Sequence, residues 1–109
     1  MNFNKYHAKK IDTPDGKFDS KKEYKRWCEL KLMEKAGQIK DLKRQVKYEI
    51  LPKYELNGKK IRGINYVADF VYEKNGSKIV EDCKGFKTPV YKIKKKMFEY
   101  KYQIELKES

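Results

Sequence analysis

Residues 65–85, NYVADFVYEKNGSKIVEDCKG, constrain the fold more than any other part of this chain. They read as two β-strands joined by a tight turn at Asn75-Gly76, because both residues tolerate the positive φ of a type I′ turn. A two-residue loop sets the register: Lys74 pairs with Ser77, Tyr72 with Ile79, Val71 with Val80 and Asp69 with Asp82. Side chains alternate between faces. Asp69, Asp82 and Lys84 are therefore expected on one face with Val67, Val71 and Val80. Glu81 and Cys83 are expected on the other, with Phe70 and Tyr72. Carboxylates directly opposite on a sheet face have Cβ atoms about 4.5–5.5 Å apart and repel. A fold gains nothing from such a pair unless something positive lies between them. A divalent cation would do so, since magnesium takes carboxylate oxygens at about 2.0–2.1 Å. The alternative is two exposed aspartates and a lysine at a strand end, with some slack in register.

The elements around this hairpin follow from capping and periodicity. Ser20-Lys-Lys-Glu23 is a capping box that opens a helix running to about Ala36, with Gly37 just past its end. Tyr24, Trp27, Cys28, Leu30 and Leu32 make its apolar face. Glu23 borders that face, so it either caps the helix or looks over the sheet. Ile39 and Leu42 lead into a strand over 45–51, where Val46, Tyr48 and Ile50 alternate with Lys47 and Glu49. Pro52 marks its end or an edge bulge. A second Asn-Gly, at 57–58, turns the chain back into a strand over 61–72. With an unbroken register Val46 lands beside Asp69, and the three strands form an antiparallel meander.

After Gly85, Thr88-Pro89 supplies an N-cap and a proline at the first helical position. The helix continues to about Tyr100, with Val90, Ile93, Met97 and Tyr100 inward and Lys92, Lys94, Lys95, Lys96 and Lys101 on the other face. A lysine face is commonly just solvated; here it starts close to Lys84, and a helix N-terminus favours phosphate. Residues 103–106 read as a short last strand. Residues 1–19 form a basic arm, or a short hairpin over 9–18 around Thr13-Pro14-Asp15-Gly16. Tyr6, His7, Lys9 and Lys10 there could reach phosphate, although His7 reads as a bystander.

A chain of 109 residues is expected to form one domain, 1–109. A net charge of +12, with nine Tyr, five Phe and one Trp, points to a basic folded module that meets nucleic acid. No long basic amphipathic face supports a membrane surface instead. Zinc lacks ligands, since His7 is the only histidine. Cys28 and Cys83 are expected to be reduced packing residues. The first residues have no apolar core of signal-peptide length, and no run nears the roughly 18 apolar residues of a membrane span, so a cytoplasmic protein is expected.

An acidic residue on one strand, then Asp-x-Lys on the next, in an αβββαβ order, resembles the PD-(D/E)xK nuclease superfamily. The elements are Asp69 and Asp82-Cys83-Lys84. The chain resembles more closely a family of small phage and prophage proteins described as Holliday-junction-resolvase-like or of unknown function. That pattern shows as Phe18-Asp19-Ser20-Lys-Lys-Glu23, Tyr66-Val67-Ala68-Asp69-Phe70, Val80-Glu81-Asp82-Cys83-Lys84-Gly85, and Thr88 through Tyr91 to Lys94. The resemblance implies an α/β (α+β) fold with a restriction-endonuclease-like core: a mixed sheet, including the meander, flanked by two helices. It implies a Mg²⁺-dependent endodeoxyribonuclease, with Mn²⁺ as a substitute. Asp69, Asp82 and the Cys83 carbonyl would hold the ion. Lys84 would stabilise the charged phosphoryl group or orient water, and Glu23 would join them from the first helix. Lys87, Lys94 and Lys96 would hold DNA phosphates. The substrate class includes branched DNA such as Holliday junctions, cut by a homodimer in the host cytoplasm. No small-molecule cofactor is implied. The competing reading is a basic nucleic-acid-binding module without catalysis; a third is a small phage protein that binds a host protein.

Overall fold

The computed structural model describes residues 10–84 and 86–109. Tyr6, His7, Lys9 and Gly85 lie outside the described residues. A small hairpin of β1 (Ile11–Thr13) and β2 (Gly16–Phe18) precedes α1 (Lys21–Lys35). Then come β3 (Lys40–Leu51), β4 (Tyr54–Leu56), β5 (Lys59–Ile61), β6 (Ile64–Lys74) and β7 (Ser77–Asp82). The helix α2 (Pro89–Tyr102) leads to β8 (Lys107–Glu108). Among the described residues the main sheet has the order β3-β6-β7-β8. Its first three strands are an antiparallel meander, and β8 lies parallel to β7. A parallel neighbour requires a crossover connection, which α2 supplies. The molecule is thus a mixed α/β fold with a mixed sheet and two helices.

The Asn75-Gly76 turn forms as the sequence dictates, with φ of 52° and 79° at its two residues. Lys74 pairs with Ser77, Tyr72 with Ile79 and Val71 with Val80. The two N-cap expectations hold, while α2 runs two residues past Tyr100, to Tyr102. Ser20 Oγ accepts the Glu23 N–H at 3.1 Å, and Thr88 Oγ1 accepts the Tyr91 N–H at 3.0 Å.

Several expectations are corrected. The β3–β6 register is one residue off the unbroken one: Val46 pairs with Ala68, not Asp69. The cause is an irregularity between Glu49 and Leu51, where the chain leaves the sheet to form the separate β4–β5 ribbon. Gly63 permits that departure, since a Cβ there would lie 2.5 Å from the Leu51 carbonyl oxygen. The inward face of α2 is also rotated. Val90, Ile93 and Tyr100 are exposed, Tyr100 by 82%, and of the expected set only Met97 packs against the core. Tyr91 and Phe98 are buried instead, and the Phe98 ring packs edge-on to Tyr48 and at a tilt against Tyr66 and Tyr102. Aromatic rings fill the space over this sheet face better than Val and Ile do, because each buries far more area. Leu32 of α1 is exposed by 69%. Leu30 is buried, with Trp27 and Met33 packed alongside. The last strand is Lys107–Glu108 rather than 103–106, because Gln103 takes a left-handed φ of 55° at the helix end.

Two apolar clusters lie on the two sheet faces. One joins Ile50, Tyr66, Ala68, Val71 and Val80 to Tyr91 and Phe98 of α2. The other joins Phe70, Tyr72 and Cys83 to Leu30 of α1. Strict alternation would put Ala68 and Phe70 on one face, yet they belong to opposite clusters. The same switch occurs on β3, where Leu42 packs with the α1 cluster and Val46 and Tyr48 with the α2 cluster. Both strands therefore change parity at one level, marked by Gln45 with its φ of 55° and by Asp69. This is also why Val67 does not share the face of Val71 as expected; it is exposed.

Candidate active site

The parity switch places the chemistry. Asp69 sits on it, in the middle strand of the meander, a residue only 5% exposed. Asp69 Oδ2 accepts the backbone N–H of Cys83 at 2.8 Å, and Oδ1 accepts Gln45 Nε2 at 3.4 Å. The first of these ties Asp69 directly to the Asp82-Cys83-Lys84 segment. Asp82 is fully buried at the end of β7. Its Oδ2 accepts the Tyr66 hydroxyl at 2.5 Å. Its Oδ1 is buried without a hydrogen-bond partner, and Lys84 Nζ stands 3.5 Å away. Burial raises the Asp82 pKa well above the usual carboxylate range, reinforced by the hydrogen bond and charge of Asp69; Tyr66 and Lys84 oppose this. Lys84 also lies 5.4 Å from the Tyr91 ring centre.

Glu23 joins this cluster from the first turn of α1. It is 2% exposed, and its Oε2 accepts Gln45 Nε2 at 3.3 Å and Arg44 at 3.5 Å. Gln45 thus bridges Glu23 and Asp69. The glutamate carboxylate does not complete a capping box; it faces the sheet. Burial pushes its pKa up to about 7, helped by the charges of Asp69 and Asp19 and opposed by Arg44. Arg44 is itself held over the Phe18 ring at 3.7 Å and donates to the Lys17 carbonyl.

Glu81, the neighbouring acid, belongs to a different structure. Arg26 of α1 grips it twice, at 2.6 and 3.0 Å, and the Tyr72 hydroxyl donates at 2.6 Å. Burial alone would raise the Glu81 pKa, but these bonds outweigh it and hold it below the usual value. Glu81 points away from Asp69, toward α1.

The proposed phosphate lysines are dispersed. Lys87 is engaged by Glu108 at 3.1 Å, Lys94 is half-buried on α2, and Lys96 is exposed there. Glu108 is held down to about 2 by the Tyr91 hydroxyl and Lys87. Sequence reasoning did not find Gln45, Tyr66 or Arg44. Nothing in the alternation of β3 separates Gln45 from Lys43 or Lys47, and Tyr66 reaches Asp82 only through the change in parity.

Among the described residues, no group of three or more His, Cys, Asp or Glu side chains is arranged to hold a metal ion. No helix there is long and apolar enough to cross a membrane. What the fold and site define is a mixed α/β protein with a buried acidic pair and a lysine at the level where β7 ends. Residues 3–109 match the family model described as "Protein of unknown function (DUF1064)", and the chain belongs to that family. No curated protein and no solved structure matches it.

Proposed function

We propose that this protein is a metal-dependent endonuclease of the PD-(D/E)xK type, with a restriction-endonuclease-like core, that hydrolyses DNA phosphodiester bonds. The observation that carries the reading is the buried Asp82 Oδ1, which lacks a hydrogen-bond partner, beside a second carboxylate and under a lysine. A protein interior does not leave a carboxylate oxygen so placed without cost. The donor set is all oxygen, which suits a hard divalent cation. Mg²⁺ in particular is held by one or two carboxylates and otherwise keeps waters and substrate phosphate. Asp69 and Asp82, with the Cys83 carbonyl, would hold it; Mn²⁺ would substitute. When bound, such an ion lowers the pKa of water and polarises a phosphoryl oxygen.

The remaining roles fall to side chains of the chain itself. Lys84 places positive charge where the phosphoryl group gains negative charge. Tyr66 fixes Asp82 through Oδ2, leaving Oδ1 to face the ion. Glu23, raised to about 7, is able to take up or release a proton near neutrality at the edge of the site. Gln45 fixes the spacing of Glu23 and Asp69. A net charge of +12 supports a polyanionic substrate. Symmetric cutting of a four-way junction by two copies is the finer form of the proposal.

The test is cleavage of a synthetic four-way junction beside a matched linear duplex, with Mg²⁺, Mn²⁺ or EDTA, using wild type, Asp82→Asn and Glu81→Gln. Metal-dependent cutting lost in Asp82→Asn and kept in Glu81→Gln is expected. Equal loss in both variants would sink the ligand assignment. Cutting of both substrates would remove junction specificity and keep the nuclease.

A further inference from the structure

The sheet does not end where the carboxylates lie. The β6–β7 ladder stops at Phe70 and Glu81, but the β3–β6 ladder runs on to Leu51 and Ile64. From Asp69 to Ile64 is five residues, about 17 Å of strand. Beyond this two-stranded extension stands the β4–β5 ribbon, closed by Asn57-Gly58 with φ of 51° and 76°. One face of the extension is covered by α2, where Tyr102 and Lys101 donate to the Glu49 carbonyl. The other face carries Lys47, Glu49, Asn65 and Val67, all exposed. Residues 52–60 and 62–65 are exposed without interruption.

The ribbon has two chemically distinct faces. Tyr54 pairs with Ile61 and Leu56 with Lys59, so these four share a face. Glu55 and Lys60 lie on the other, and alternation adds Lys53 and Arg62 to it. Lys53, Lys59, Lys60 and Arg62 stand against the one carboxylate of Glu55. An exposed Tyr54 and Leu56 beside such a charge excess have no role in any core.

We infer that the β4–β5 ribbon is a DNA-contacting arm that enters the major groove of duplex flanking the site, with Lys53, Lys60 and Arg62 on phosphates and Tyr54 and Leu56 toward the base edges. This inference rests on the nuclease reading for its choice of DNA as partner. The B-DNA major groove, about 12 Å wide, admits a two-stranded β-ribbon. The arm lies beyond the end of β7 that carries Asp82, past the β3–β6 extension, so duplex held at the carboxylates extends toward it. At 3.4 Å per base pair, the 17 Å strand offset is roughly five base pairs. A second copy is a poor occupant, because it would bring the same excess of positive charge.

The test is duplex binding by fluorescence anisotropy in EDTA, across a salt series, which needs neither metal nor cleavage. The variant Lys53→Ala/Lys60→Ala/Arg62→Ala is compared with Lys35→Ala/Lys74→Ala/Lys78→Ala, which removes equal charge at the opposite end of the sheet. The ribbon variant is expected to bind duplex roughly 10- to 100-fold more weakly, with a log–log salt slope shallower by roughly 2–3. The control should move neither quantity by comparable amounts, and thermal melting should show both variants folded. Equal losses in the two variants overturn the arm, as does an equal loss for single-stranded oligonucleotide. If the arm-specific loss appears while no metal-dependent cleavage is found, the arm stands and the nuclease reading falls. If metal-dependent cleavage is found while the ribbon variant binds duplex as wild type does, the arm falls and the nuclease reading stands.

Discussion

Glu81 and Asp82 are adjacent in the chain and both fully buried, yet their surroundings are opposite. Glu81 faces α1 and receives three donors, two from Arg26 and one from Tyr72. Asp82 faces α2, receives one from Tyr66, and has at Oδ1 no hydrogen-bond partner but the Lys84 ammonium 3.5 Å away, beside a second acid. The pKa shifts follow: down for Glu81, up for Asp82. A buried carboxylate fully matched by its own protein is structural. One with an oxygen lacking a hydrogen-bond partner, beside another acid and a lysine, is where the proposed metal site lies.

The largest effect that would break this contrast is on cleavage. Asp82→Asn should lower metal-dependent cleavage on the order of a thousandfold, read as initial rate on a labelled duplex. Glu81→Gln should leave the rate nearly intact but destabilise the fold by about 3 kcal/mol in urea unfolding, because Arg26 loses its charged partner. Were the two variants to exchange these phenotypes, the assignment of the two faces would be reversed. Next, Mg²⁺ at a hundredfold excess over its dissociation constant should stabilise wild type by about 2.7 kcal/mol and leave Asp82→Asn unmoved. Calorimetric scans with and without EDTA read this directly.

The pH dependence sharpens the same contrast. Glu81 has a depressed folded pKa, so it contributes stability above its ordinary value of 4.5, lost as pH falls through the folded value. Asp82 has a raised one, so its burial costs stability as pH climbs from its ordinary 3.8 toward neutrality. In EDTA, Asp82→Asn should therefore melt above wild type at pH 7, with the gap closing near pH 4. A constant gap across that range would contradict the shift. The smallest effect concerns packing: Ile93→Ser and Leu32→Ser should each change stability by less than about 0.5 kcal/mol, since both side chains are exposed. A loss comparable to a core truncation would restore the inward faces that spacing alone suggested.

Much of this molecule is legible without any structure. Asn75-Gly76 determines its hairpin, because few residue pairs accept two positive φ angles in succession. Ser20 and Thr88 start their helices, because each hydroxyl accepts an otherwise orphaned N–H. The two-residue turn admits one register, which holds from Lys74–Ser77 to Phe70–Glu81 and stops one pair short of the expected Asp69–Asp82. All of these depend on neighbours a few residues apart.

What alternation and spacing did not reveal depends on contacts across the chain. The helix faces of α2 turned on which side chains best fill the gap over Tyr48 and Tyr66, a matter of volume rather than period. The parity switch at Gln45 and Asp69 requires two strands to break together. That break brings Tyr66 onto Asp82 and sets Gln45 between Glu23 and Asp69. The turn residues alone determined that β6 and β7 would pair; only the tertiary structure decided that one oxygen of Asp82 would be buried with no hydrogen-bond partner and a lysine 3.5 Å away, because burial is a property of everything packed around it.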